Sequence, residues 1–158
     1  MDANNKKTIA LIAHDNRKKE LIEWVDWNSK SLLQNNIICT GTTGKLIRDT
    51  LEKSLKKDQE EKYNITLLKS GPLGGDQQMG AMIVNGQIDM MVFFWDPMQQ
   101  LAHDVDVKAL LRITVLYNIP TACNRSTADF LISSELFAKP YIPKPMDVND
   151  YLNRALDV

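Results

Sequence analysis

The sequence predicts an α/β fold: a single-domain, three-layer α/β/α arrangement around a five-stranded, mostly parallel sheet. Three observations predict it. Short, continuous apolar runs alternate along the chain with stretches of helical periodicity. That alternation implies strands joined by crossover helices and buried on both faces. Neither an internal repeat nor a linker interrupts it, and the residues of chemical interest follow the strands rather than precede them.

Thr8 to Ala13 is short and apolar, as a buried strand should be. Asn16 to Leu33 then shows helical spacing, with Leu21, Val25, Leu32 and Leu33 as its inward stripe. Asn36 to Thr40 is the second strand, and a helix is expected from Lys45 into "LEKSLKKDQEEK", a charged segment read as solvated helix or loop. Ile65 to Leu68 is the third strand. It runs into "SGPLGGDQQMG", where four glycines and a proline surround Asp76 before a helix expected over Gln77 to Val84. Asn85-Gly86 stops that helix. Ile88 to Trp95 is a wholly apolar fourth strand, Val107 to Tyr117 an amphipathic helix, and Pro120 to Cys123 the fifth strand. A further helix begins at Thr127 to Ile132, and after "KPYIPKP" a last helix is expected from Asp147 to Leu156.

The 158 residues suit one domain. A chain of that size buries roughly two-thirds of its unfolded surface. The net charge of -1 argues against a general nucleic-acid or membrane-surface binder, which would need a basic surplus. An anionic ligand must therefore be caught by a local site. Cys39 and Cys123 are too few and too far apart for a disulfide framework or a zinc site, and read as free thiols in a reducing cytosol. Near the N-terminus the apolar run Ile9 to Ala13 is too short for a secretory or membrane-spanning segment. A cytoplasmic protein is expected.

In open parallel sheets the ligand crevice lies outside the carboxyl ends of the strands. Those ends carry, in order, His14, Asp15 and Lys18; Thr40, Gly41, Thr42, Thr43 and Gly44; Ser70, Gly71, Gly74, Gly75 and Asp76; Asp96, His103, Asp104 and Asp106; and Asn124, Ser126 and Thr127. Each group has a bland reading. "TGTTGKL" either caps a helix or cradles a phosphate on bare N–H groups, with Lys18 as a point charge. It is neither a Walker sequence nor a dinucleotide fingerprint. Asp76 is either a helix cap or an acid set beside bare backbone. Asp104 and Asp106 also suit a cap, His103 a satisfied loop histidine, and Asp96-Pro97 a turn. "MMVFFW" is core, and Arg154 lies on an exposed helix.

"IALIAHDNRK", "TGTTGKLI", "SGPLGGDQQMGAMI", "IDMMVFFWDPMQQLAHDVDVKALLR" and "NIPTACNRSTADF" together resemble the methylglyoxal synthase family, in order and over most of the chain. The resemblance implies conversion of dihydroxyacetone phosphate to methylglyoxal and inorganic phosphate. It also implies a homohexamer, no metal, no organic cofactor and inhibition by phosphate. Carried over by motif, it makes Asp76 the catalytic base, His103 the proton shuttle and Asp106 the second acid. His14 and Lys18 become substrate-side residues of the first loop, and Thr40, Thr42, Thr43, Gly44, Ser70 and Gly71 the phosphate cradle. Arg154 is the candidate for an arginine that reaches phosphate from a neighbouring subunit. Two departures stand out: Val105 where the family often has proline, and 51–62, which reads as an insertion.

Two other functions compete. A regulatory module that only binds a phosphorylated metabolite would have no use for Asp76, His103 and Asp106 together. A phosphoacceptor receiver domain needs clustered acids after the first strand, where "AHDN" supplies only Asp15.

Overall fold

Both faces of the first strand, β1 (Thr8–Ala13), are apolar, and the fold follows from covering them. The computed structural model describes residues 6–55, 63–100 and 102–154. Beside β1 lie β2 (Asn36–Thr40), β3 (Asn64–Leu68), β4 (Met90–Phe94) and β5 (Thr121–Ala122). All five strands are parallel, in the order β3-β2-β1-β4-β5. The chain builds outward from β1 in one direction and then returns to its other side. The order therefore reverses between β1 and β4, the place where such sheets open a crevice.

The helices are α1 (Lys18–Trp27), α2 (Ser29–Leu32), α3 (Gly41–Ser54), α4 (Gly75–Val84), α5 (Asp104–Leu116), α6 (Arg125–Ser133) and α7 (Asn149–Leu152). Alternate residues of β1 feed two separate cores. Ile9 and Leu11 join Trp24, Val25, Ile47, Leu51, Val92 and Phe94 beneath α1, α2, α3 and α6. Ala10 and Ile12 join Met79, Ile83, Met91, Phe93, Val107 and Leu110 beneath α4 and α5. This is the three-layer sheet expected, with β4 buried along its whole length. Trp24 also donates its indole N–H to Asp129 Oδ1 at 2.8 Å, tying α1 to α6.

Element ends differ from expectation for local reasons. The helix expected over residues 16–33 divides at Asn28, whose side-chain amide donates to the Trp24 carbonyl at 2.8 Å and competes with the next helical turn. Four helices start earlier than expected: α3 at Gly41, α4 at Gly75, α5 at Asp104 and α6 at Arg125. Among the described residues of the last expected helix, Asn149–Leu152 is helical; 155–156 lie outside the described residues, as does 56–62 of the expected insertion. Cys39 and Cys123 are free thiols, and burial pushes the Cys39 thiol up to about 12. No helix among the described residues is long and apolar enough to cross a membrane.

Phe94 is fully buried and meets Trp24 edge-on at 6.3 Å between ring centroids. Phe94→Ala is expected to cost about 3–5 kcal/mol of stability, read from a urea unfolding curve.

Candidate active site

A cavity of about 270 Å³ opens at the carboxyl edge of β1, β2 and β3. Among its lining residues are His14 and Lys18 after β1, Thr40, Gly41, Thr42 and Thr43 after β2, Ser70, Gly71 and Asp76 after β3, and His103. Residues spread over ninety positions of sequence thus share one small space because parallel strands end together. Three of the residues that the resemblance assigns to the site stand outside it. Asp106 occupies the first turn of α5, and its backbone N–H donates to the His103 carbonyl at 2.9 Å. Gly44 faces the core: a Cβ there would come within 2.8 Å of Cys39 Cβ and 2.5 Å of Leu67 Cδ2, so its bareness serves packing. Arg154 is exposed and stacks over the ring of Tyr151 at 3.7 Å.

The capping readings can now be decided. Thr40 is the N-cap residue of α3 without a side-chain cap bond, which leaves the first-turn amides beside Thr42 and Thr43 available to a ligand. Asp76 is not the cap of α4 either; that place belongs to Gly74, held at φ 95, which a residue with a side chain rarely adopts. By contrast Asn124 does cap α6, accepting from the Thr127 N–H at 2.9 Å. Gly41 has φ 52, and a Cβ on it would strike Ser70 at 2.8 Å, so the β2 and β3 turns meet through bare backbone.

The acid and the imidazole converge over one missing side chain. A Cβ on Gly71 would stand 2.9 Å from His103 Nε2 and 3.0 Å from Asp76 Oδ2. Those two atoms lie 3.7 Å apart, beyond a hydrogen bond but across a gap one small group can fill. Asp76 is buried and its Oδ2 has no hydrogen-bond partner. Burial is the main cause that raises its carboxyl above the usual aspartate range; the nearby His103 opposes this and the Asp106 charge adds to it.

His14 is held differently. The backbone N–H of Asp96 donates to its Nδ1 at 3.2 Å, so the neutral ring carries its proton on Nε2. That Nε2 is buried without a partner, and the ring stands edge-on to Phe93 and to His103, the latter at 6.0 Å. Burial, helped by the His103 charge, lowers the imidazole pKa. The Asp96 carboxylate fixes its own turn by accepting from the Met98 N–H at 3.0 Å and from Asn16 Nδ2 at 2.9 Å. Sequence reading took Asp96 only as a turn; nothing in the sequence marks the pairing of Ala13 with Phe94, which brings the two strand exits side by side. It named Asp15 at the first strand exit without giving it a role; the Asp15 carboxylate meets Lys18 Nζ at 2.6 Å. Lys18 also donates to Thr42 Oγ1 at 2.6 Å, which places its charge over the α3 amides. Among the described residues no group of three or more His, Cys, Asp or Glu is arranged to hold a metal ion.

The chain is similar to known proteins over most of its length. The MGS-like domain family matches residues 20–123. The chain is 54% identical over 153 residues to the methylglyoxal synthase of Maridesulfovibrio salexigens, covering 95% of this chain and 98% of the relative. It is 48% identical to that of Hahella chejuensis, over 93% of this chain and 89% of the relative. A crystal structure of methylglyoxal synthase from Elizabethkingia anophelis NUHP1 superposes with a TM-score of 0.84 at 45% identity, covering 96% of this chain and 93% of that one.

His14 should remain a neutral Nε2–H imidazole at pH 6.5, where an exposed histidine is half protonated; ¹⁵N NMR of the ring nitrogens reads both the tautomer and the titration.

Proposed function

The chain belongs to the methylglyoxal synthase family, and on that premise we propose how its crevice turns dihydroxyacetone phosphate into methylglyoxal and inorganic phosphate. The enzyme is a carbon–oxygen lyase acting on a phosphate ester. The observation that carries the mechanism is the buried Asp76 carboxylate with an unpartnered oxygen 3.7 Å from His103 Nε2.

Asp76 removes a proton from the hydroxymethyl carbon next to the ketone. An exposed aspartate, with a pKa of about 3.9, is a weak base; the dry setting of Asp76 strengthens it. As the proton leaves, negative charge moves to the ketone oxygen. The Nε2–H of neutral His14 and the His103 imidazole are the donors for that oxygen, and His103 carries protons between the two enediolate oxygens. The electron pair of the enediolate then forms a carbon–carbon double bond at the far carbon. The C–O bond to phosphate breaks, and phosphate departs with the bonding electrons. Tautomerisation of the remaining enol yields methylglyoxal.

Elimination requires the breaking C–O bond to stand perpendicular to the enediolate plane. If the bond lay in that plane the phosphate would stay. We assign the phosphate to the α3 amides, Thr42, Thr43, Ser70 and Lys18, which line the same cavity as Asp76. The proposal extends to one domain over the chain, a homohexamer, a cytoplasmic setting and phosphate as an inhibitor at the same cradle. Trp27 and Phe130, exposed together along a groove between α1 and α6, favour such an association. Arg154 would have to leave Tyr151 to serve a neighbour's phosphate.

Incubation of the purified chain with dihydroxyacetone phosphate and no added metal should release a dicarbonyl and phosphate in equal amounts; neither product appearing would end the reading. Asp76→Asn should keep the fold and lower kcat by about 10²–10⁴-fold, since an amide cannot take up the proton. In the wild-type enzyme the acid limb of kcat/KM should lie above the usual aspartate range, because Asp76 works only when deprotonated and burial raises its pKa. Near-normal turnover in the Asn variant would remove Asp76 as the base.

A further inference from the structure

Lys18, the cation of the cavity lining, is already occupied. Its ammonium group meets Asp15 Oδ1 at 2.6 Å as well as Thr42 Oγ1 at 2.6 Å. The charged residues of the lining are Lys18 against Asp15 and Asp76, so carboxylates outnumber the ammonium in a pocket that must take a phosphate dianion. Simple complementarity would leave Asp15 out. The two partners also differ in freedom: the Asp15 side chain is 81% exposed, whereas that of Lys18 is 22% exposed. Three residues apart on the first turns after β1, they are joined by a short arm that can swing toward water without disturbing the lysine.

We propose that Asp15 is a tethered internal anion that sets the phosphate affinity of the site: it engages Lys18 while the cradle is empty, yields that contact to the arriving phosphate, and takes it back as phosphate leaves. The proposal rests on the phosphate cradle assigned above. An ammonium held at both ends stays pointed at Thr42 without a ligand, so little reorganisation accompanies binding. The same competition keeps the released phosphate from lingering, which a cradle of free amides plus an unopposed lysine would encourage. The hydrogen bond from Lys18 is the main cause that keeps the Asp15 carboxyl below its usual range, so it is an anion wherever the enzyme works. As an exposed ion pair its influence is modest.

Titration of inorganic phosphate into wild-type protein, Asp15→Asn, Lys18→Met and the double variant, followed by ³¹P NMR to reach millimolar affinities, tests this. Asp15→Asn should bind phosphate about two- to five-fold more tightly than wild type, with the phosphate inhibition constant falling in step. In the Lys18→Met background the Asp15 change should tighten nothing, because the contact for which Asp15 competes is gone. Unchanged or weaker binding by Asp15→Asn overturns the proposal, as does equal tightening with and without Lys18, which would reduce Asp15 to long-range repulsion. Wild-type protein that takes up no phosphate overturns the cradle itself, and this proposal with it. Asp15 is exposed, so the fold is not at stake; Asp15→Ser should behave like Asp15→Asn.

Discussion

A carboxylate oxygen kept from water without a hydrogen-bond partner is the constraint on which the rest of this structure depends. An unsatisfied buried polar atom costs about 1–3 kcal/mol. Asp76 Oδ2 is such an atom. Supplying it with a donor would recover that free energy and weaken the carboxylate as a base. The turn that holds it is therefore built from residues without side chains. Gly71 leaves the gap between Asp76 and His103, Gly74 takes the left-handed conformation ahead of α4, and Gly75 packs so closely on the Lys69 carbonyl that a Cβ would lie 2.1 Å from its oxygen. Each glycine answers a separate geometric demand, which explains why they crowd into one short stretch.

Dryness has a second effect. It raises the Asp76 carboxyl and lowers the His14 imidazole, in both cases chiefly by disfavouring the charged form. The acid becomes a stronger base and the histidine a neutral donor. Titrating groups moved from their ordinary values by one shared environment are how a fold assigns complementary roles to a few side chains. The neutral histidine also depends on a backbone amide: with Asp96 N–H on Nδ1, the ring has only Nε2–H to offer the cavity. Asn16 and Met98, through the Asp96 carboxylate, hold that amide in place.

Much of this was legible in the sequence, for a physical reason. Apolar runs such as Ile9 to Ala13 and Met90 to Phe94 can be continuous only where both faces of a strand are covered, and parallel strands deliver their exits to one edge. That reasoning assembled His14, Lys18, Thr42, Ser70, Gly71, Asp76 and His103 before any coordinates. It placed the starts of α3, α4 and α5 too late because the first turns Gly41–Thr43, Gly75-Asp76 and Asp104–Asp106 carry little apolar signal; Gly41–Thr43 and Asp76 line the crevice instead. Gly44 shows the converse limit. Its neighbours, Cys39 and Leu67, lie on β2 and β3, so nothing adjacent in sequence distinguishes a packing glycine from a cradle glycine. The partnership of Asp96 with His14 was hidden likewise, since it depends on the register between β1 and β4.

The layering bears on why the phosphate should leave rather than stay. Lys18 and Thr42 belong to α1 and α3, the helices on one face of the sheet, whereas Asp76 and His103 accompany α4 and α5 on the other. A ligand that uses both groups must lie across the sheet edge, with its phosphate drawn toward one helix layer and its reacting carbons toward the other. Extraction of a proton on the far side and attraction of the ester on the near side pull in divergent directions. On the proposed assignment such a pull would favour an ester bond that stands out of the enediolate plane, the orientation elimination requires. On that assignment the sheet contributes to this selection, because α1 and α3 lie on one of its faces and α4 and α5 on the other while all of them deliver residues to the same edge.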